Sequence, residues 1–183
     1  ALPIFPNISR ALDPKAPTPK GNPCQGEEKG IILLNSSKEA KDNEATLEFL
    51  WYALINNKRY GTPIPKDKVK KAFEYCINEF DPDRDGICRA EFALGQNDVV
   101  YYPGKTSDLS VNQGMFAISL KVAQDLGMPV TDEYIEKAKQ EYRNFYDNEQ
   151  GYLIDNKSYK YVISFNSLLP EFVSWWLYNE PIL

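Results

Sequence analysis

The chain has 183 residues, enough for one domain with a core of ordinary size. Its net charge of −5 leaves no basic footprint for nucleic acid, and no apolar run is long enough to cross a bilayer. Histidine is absent, which excludes Ser-His-Asp triads, Cys-His dyads and imidazole metal ligands. Chemistry on this chain therefore falls to carboxylates, tyrosines and lysines.

Three cysteines, Cys24, Cys76 and Cys88, are odd in number and widely spaced, against a disulfide framework or a zinc knot. Cys76 sits in an apolar helical pattern and reads as a buried thiol, while one bridge between two of the three stays open. The opening "ALPIFPNISR" has no signal peptide and also suits a mature end left by cleavage. Asn7, Asn35 and Asn156 each open an N-x-Ser triplet, more than the about one expected by chance, which favours a secreted over a cytoplasmic protein.

Residues 1–37 form the first segment. Pro3, Pro6, Pro14, Pro17, Pro19 and Pro23 forbid helix and favour extended chain, a linker or a strap packed on a neighbouring body. "GIILLN" at 30–35 reads as a short buried strand or strap. Residues 38–183 form a helical domain. "DNEATLEFLWYALINNKRYG" sets Leu47, Leu50, Trp51, Leu54 and Ile55 on one stripe, with Asp42 or Asn43 as cap and Gly61 after the end. "PKDKVKKAFEYCINEF" repeats the pattern through Val69, Ala72, Phe73, Cys76, Ile77 and Phe80, with Pro65 at its first turn. "SVNQGMFAISLKVAQDLG" is apolar almost all round and predicts a buried helix. "TDEYIEKAKQEYRNFYD" predicts a fourth helix, capped by Thr131 and solvated on one face. "SLLPEFVSWWLYNEPIL" predicts a fifth, with Ser167 as cap and Pro170 in its first turn.

The connections alternate in length. Helices one and two, and helices three and four, are joined by short links; the links from Asp81 to about Ser110 and from Asp147 to about Asn166 are long. Short links make antiparallel pairs, so both long connections fall at one end, where binding sites are usually built. Helices one, three and five start at that end and are the more apolar, the pattern of inner helices in a ring of helical hairpins. Their N-termini turn partial positive charge toward the loop-lined face.

The order "EATLEFLWYALINNKRYG", "FDPDRDGICRAEFALGQNDVVYYPG", "LSVNQGMFAISLKVAQDLG", "YDNEQGYLID", "SLLPEFVSWWLYNEPIL" resembles the six-hairpin glycosidases over roughly residues 42–183. These are (α/α)6 toroids that include glycogen-debranching and glucoamylase-like glycoside hydrolases. The resemblance implies an all-α fold of antiparallel helical hairpins, a pocket at the inner helix N-termini, and hydrolysis of an α-linked glycoside with inversion. The catalytic aspartate of debranching-type relatives falls on Asp98 in "LGQNDVVYY", and an asparagine near the start of the next helix on Asn112 in "SVNQG". The chain supplies about two and a half of six hairpins, and "YNEPIL" reads as the middle of a protein. The implied partners are thus a carbohydrate substrate and the remainder of the ring, from the same polypeptide or another chain, with no nucleic acid and no membrane. The second catalytic carboxylate would lie beyond Leu183.

Inverting hydrolysis needs one carboxyl to protonate the leaving oxygen and another, about 6.5–9.5 Å away, to activate water. Asp98 lies among Asn97, Val99, Val100, Tyr101 and Tyr102, whose apolar bulk would raise its pKa and whose tyrosines could stack on sugar rings. The bland reading is a surface aspartate before a short strand. Substrate-binding candidates are Asp42, Glu44, Asn97, Tyr101, Tyr102, Asn112, Gln113 and Glu171. For Asp42, Glu44 and Glu171 the competing reading is a cap or first-turn acid that satisfies the helix dipole. Trp51, mid-helix, reads as core, and Trp175 and Trp176 cannot both face inward.

"DPDRDGICRAEF" opens like a calcium loop. Asp81, Asp83 and Asp85 take the first three ligand places, Gly86 the sixth position, the Ile87 carbonyl the seventh, and Glu91 comes one place early for the bidentate glutamate. No second such loop follows. No cofactor is required for the chemistry; a structural Ca2+ in this turn competes with a helix-ending turn whose aspartates cap backbone N–H groups. A non-catalytic carbohydrate-binding segment of the same fold and a calcium-binding helical module are the two alternative functions.

Overall fold

The computed structural model describes residues 43–89, 109–157 and 165–183. Most of these residues are helical, and the only sheet among them has two strands. The proline-rich leading segment with "GIILLN" lies outside the described residues.

Helix α1 (Asn43–Ile55) was expected to bury one stripe but buries nearly its whole girth, since Phe49 and Ala53 are enclosed with Leu47, Leu50, Trp51 and Leu54. It ends in one π-helical turn, Asn56–Tyr60, closed by Gly61 at φ +62. Helix α2 (Lys66–Glu79) follows directly after Pro65 and buries Val69, Ala72, Phe73 and Cys76 of the face its spacing predicts, with Tyr75 besides, while Ile77 of that face is half-buried. Helix α3 (Ser110–Asp125) is enclosed from Ser110 to Leu120, as its all-round apolar pattern requires. Helix α4 (Asp132–Arg143) buries only Ile135, Ala138 and Tyr142, and Thr131 Oγ1 caps it by accepting the Tyr134 N–H at 3.2 Å.

Strands β1 (Tyr146–Asp147) and β2 (Tyr152–Leu153) pair antiparallel inside the second long connection, where no strand was expected. Two residues per strand carry no alternation to read. The turn is legible afterwards: Asp147 Oδ1 accepts the Glu149 and Gln150 N–H groups at 2.9 Å, and Gly151 takes φ +75. Helix α5 (Leu169–Tyr178) is preceded by a 3-10 turn, Phe165–Leu168. Ser167 is not its cap, because the hydroxyl donates instead to Asp155 Oδ1 at 2.7 Å. After Asn179, at φ +57, the chain doubles back so that Ile182 is buried.

Helix α3 is the hub, touching each of the other four helices. Trp51 Nε1 donates to Ser119 Oγ at 2.9 Å and Lys58 reaches Asp125 at 3.4 Å, so α1 and α3 run the same way. Gly114 lies against Pro170, and Lys121 lies over the Tyr178 ring, so α5 also runs with α3. Helix α4 runs against α3: Gln113 meets Ala138 near one end, and Gln124 meets Val130 and Asp132 at the other. The starts of α3 and α5 therefore share one end of the molecule. An antiparallel bridge between Leu109 and Asn156, with Ser110 N–H donating to the Asp155 carbonyl at 2.9 Å, joins the two long connections there.

One apolar surface is left open. Leu168 just before α5 and Phe172, Trp175 and Trp176 on it are exposed, with Phe172 at 66% and Trp175 at 52%. Both tryptophans thus face away from the core. The Arg59 guanidinium lies 5.3 Å from the Trp176 ring centroid.

Candidate functional site

The end where the long connections meet is unusually polar for its depth. Ser110, Asn112, Gln113, Asp155, Asn156 and Ser167 are all buried there. The chain brings them together because α3 begins beneath the Leu109–Asn156 bridge, which buries its first turn. Asp155 is bonded through Ser167 Oγ, and Tyr142 fixes the next turn by donating its hydroxyl to the Ser167 carbonyl at 2.6 Å. Burial pushes the Tyr142 phenol far above its ordinary pKa, with a smaller push from Glu171, so it stays a neutral donor. Among the described residues, two buried atoms at this end have no hydrogen-bond partner: Ser110 Oγ and Asn112 Nδ2. Buried polar atoms are normally paired, so each of these is a group that the described fold leaves unsatisfied.

Gln113, another substrate-binding candidate, has both ends of its amide bonded to backbone groups. Its Oε1 accepts the Cys88 N–H at 2.8 Å, and its Nε2 donates to the carbonyls of Gly86 at 2.8 Å and Ala138 at 2.9 Å. Both ends of the amide are spent on fastening the acidic turn to α3 and α4. Glu171 is also occupied: its two oxygens accept the N–H groups of Ile182 at 3.1 Å and Leu183 at 2.9 Å, holding the doubled-back segment. Arg143 braces the same segment by donating from Nε to the Ile182 carbonyl at 2.7 Å. Asn112 is the one described substrate-binding candidate with a side-chain atom, Nδ2, that has no partner among the described residues. Asp98, Asn97, Tyr101, Tyr102 and Glu91, and the side chains of Asp42 and Glu44, lie outside the described residues.

The acidic turn is built around Asp81, whose side chain is fully buried. Its Oδ2 accepts the Gly86 N–H at 2.8 Å and the Tyr134 hydroxyl at 2.7 Å; its Oδ1 accepts the Asp85 N–H at 3.1 Å. Gly86 is required, since its φ is +91 and a Cβ would stand 2.9 Å from the α4 backbone at Lys137 and Ala138. Arg84, at φ +60, folds back to donate to the Ile77 and Asp81 carbonyls and to Asn78 Oδ1, closing the end of α2.

Arg89 occupies the centre of this turn. Its Nη1 donates to Asp85 Oδ1 at 3.0 Å, the Ile87 carbonyl at 3.2 Å and Asp81 Oδ1 at 3.3 Å. Its Nη2 donates to Asp85 Oδ2 and lies 3.6 Å from Asp83 Oδ2. The hydrogen bond from Arg89, aided by the Ile87 N–H and opposed by partial burial, holds the Asp85 carboxyl down at about 2. These are the oxygens that the sequence offered to calcium, and as arranged they serve a guanidinium instead. Among the described residues, no three of Asp, Glu and Cys are grouped to hold a metal ion.

Sequence reasoning missed Arg89, Tyr134, Asp155 and Ser110. For Arg89 the signal was present: a basic residue at the ninth place of a calcium-like loop, where an oxygen ligand belongs. For the other three, the partners come from distant segments, and nothing local announces them. No protein-family model, no curated protein and no solved structure matches this chain.

Proposed function

We propose that the chain is part of an α/α toroid that hydrolyses an α-linked glycoside with inversion, at the end where its long connections meet. The observation that carries this reading is the Leu109–Asn156 bridge with its Ser110–Asp155 hydrogen bond. It supports a shared rim for the two long connections, above helices whose N-termini point toward it. The common direction of α1, α3 and α5 supports their role as inner helices, and α2 and α4 are the outer ones. The open apolar face of α5 suits a following helical hairpin, from the same polypeptide or another chain.

In this reading Asp98 is the general acid, assigned by the family resemblance, and the base is supplied by the rest of the ring. Asn112 Nδ2 donates to a sugar hydroxyl, which would relieve its unpaired burial. The test is NMR observation of the anomer released from α-glucosides and α-rhamnosides by the intact protein. An initial β-product that disappears in Asp98→Asn, with oligosaccharide binding retained, supports inverting hydrolysis. Binding without turnover in the unsubstituted protein supports the non-catalytic carbohydrate-binding alternative. Full turnover in Asp98→Asn overturns the assignment of the acid, and absence of both binding and turnover overturns the carbohydrate reading.

A further inference from the structure

The acidic turn carries an inference independent of the carbohydrate reading. A calcium ion in such a loop gathers six to eight oxygens at about 2.3–2.6 Å. Here the two carboxylates nearest the turn's centre, Asp81 and Asp85, and the Ile87 carbonyl already converge on Arg89 Nη1, and Asp83 flanks Nη2. The other Asp81 oxygen is spent on Gly86 and Tyr134. A divalent ion would have to expel the guanidinium from its own ligands or sit against its positive charge. The planar fork of arginine suits this arrangement, because one face of donors can reach several carboxylates at once.

We infer that Arg89 is the resident cation of the D-x-D-x-D-G turn, a tethered guanidinium that stands in the place of calcium and sets the turn without any metal. The tether matters physically. A bound ion stabilises in proportion to its free concentration, whereas a side chain on the same loop is present at every ionic composition. The turn that follows α2 is then braced identically in calcium-rich and calcium-poor surroundings. Removing the guanidinium leaves three carboxylates and a carbonyl facing one another, which is a vacant cation shell.

The experiment compares the intact protein with Arg89→Gln in EDTA and in calcium chloride, by thermal unfolding and by terbium luminescence. Tyr134, whose hydroxyl lies 2.7 Å from Asp81, is the built-in sensitiser for terbium. The unsubstituted protein should show the same Tm in both solutions and no terbium emission. Arg89→Gln should melt lower in EDTA and recover in calcium, by about 5–10 °C at a hundredfold excess over its Kd. It should also gain terbium emission that Asp83→Asn in the same background removes. A calcium-dependent Tm in the unsubstituted protein overturns the inference, as does a folded Arg89→Gln that ignores both ions. If Arg89→Gln does not fold even in calcium, the unsubstituted protein decides alone: a calcium shift refutes the inference and its absence upholds it.

Discussion

Gln113 is where one substitution should reach furthest. It is buried and makes three hydrogen bonds to backbone groups on two separate segments. Gln113→Leu keeps the bulk and removes all three. The Ala138 carbonyl lies within α4 and still has the amide four residues ahead to bond it. The Cys88 N–H and Gly86 carbonyl each lose, in the interior, the partner that Gln113 gives them. Each such loss costs about 1–3 kcal/mol, so about 4 kcal/mol is expected in total. That is a large share of the about 5–15 kcal/mol that holds a typical domain together. Urea unfolding followed by tryptophan fluorescence reads it as a lower midpoint.

Gln113→Glu separates this account from simple loss of packing. Its carboxylate can still accept from Cys88 but turns an acceptor toward two carbonyls. Ionisation is therefore disfavoured in the fold, and the folded pKa rises above the unfolded value of about 4.3. The sign follows: the protonated acid is the better-tolerated form, so the deficit relative to the unsubstituted protein is largest near neutral pH. It shrinks as pH falls through the folded pKa toward the unfolded one. A Gln113→Leu protein within about 1 kcal/mol of the parent would refute the reasoning, as would a Gln113→Glu deficit that does not narrow on acidification.

Three further outcomes follow from the same geometry. Gly86→Ala forces a Cβ to 2.9 Å from the α4 backbone at φ +91, and should lower stability by about 2–4 kcal/mol in urea unfolding. Gly114→Ala sets a Cβ 2.5 Å from the Pro170 ring and 2.8 Å from Tyr142, and should lower the Tm by about 2–10 °C by prising α5 from α3. Asp85 is held at about 2, below its unfolded value of about 3.9, so its contribution is present above that value and is lost as pH falls through about 2. Thermal unfolding between pH 2 and 5 should accordingly show a shallower acid decline in Arg89→Gln than in the parent.

Much of the helical framework was legible, because helices announce themselves through local spacing. The buried face of α2, the enclosure of α3 and the Thr131 cap all follow from residues within one or two turns of each other. What escaped depends on partners far apart in the chain. Gln113 reads as a substrate-binding candidate at a helix start until Cys88 and Ala138 are brought to it from 25 residues away on either side. Ser167 has the identity of a cap, but Asp155 competes for its hydroxyl and wins, being a charged acceptor in a dry setting. The acidic loop hides its partner in another way: its spacing fits a metal, and only the reach of Arg89 shows that its oxygens already meet a cationic donor. Of the proposed site, Asn112 is legible through the resemblance, whereas its companions Asp155 and Ser110 are assembled by the bridge.

The central position of α3 bears on how this protein comes apart. Because the other four helices all lean on it, no described helix can detach without stripping cover from the same rod. Amide protons along its middle should exchange with solvent only in whole-molecule opening events, while those of α4, solvated along one side, escape through smaller fluctuations. Proteolytic nicking within α3 would then abolish the entire fold in a single cooperative step, and no stable half would survive on either side of the cut.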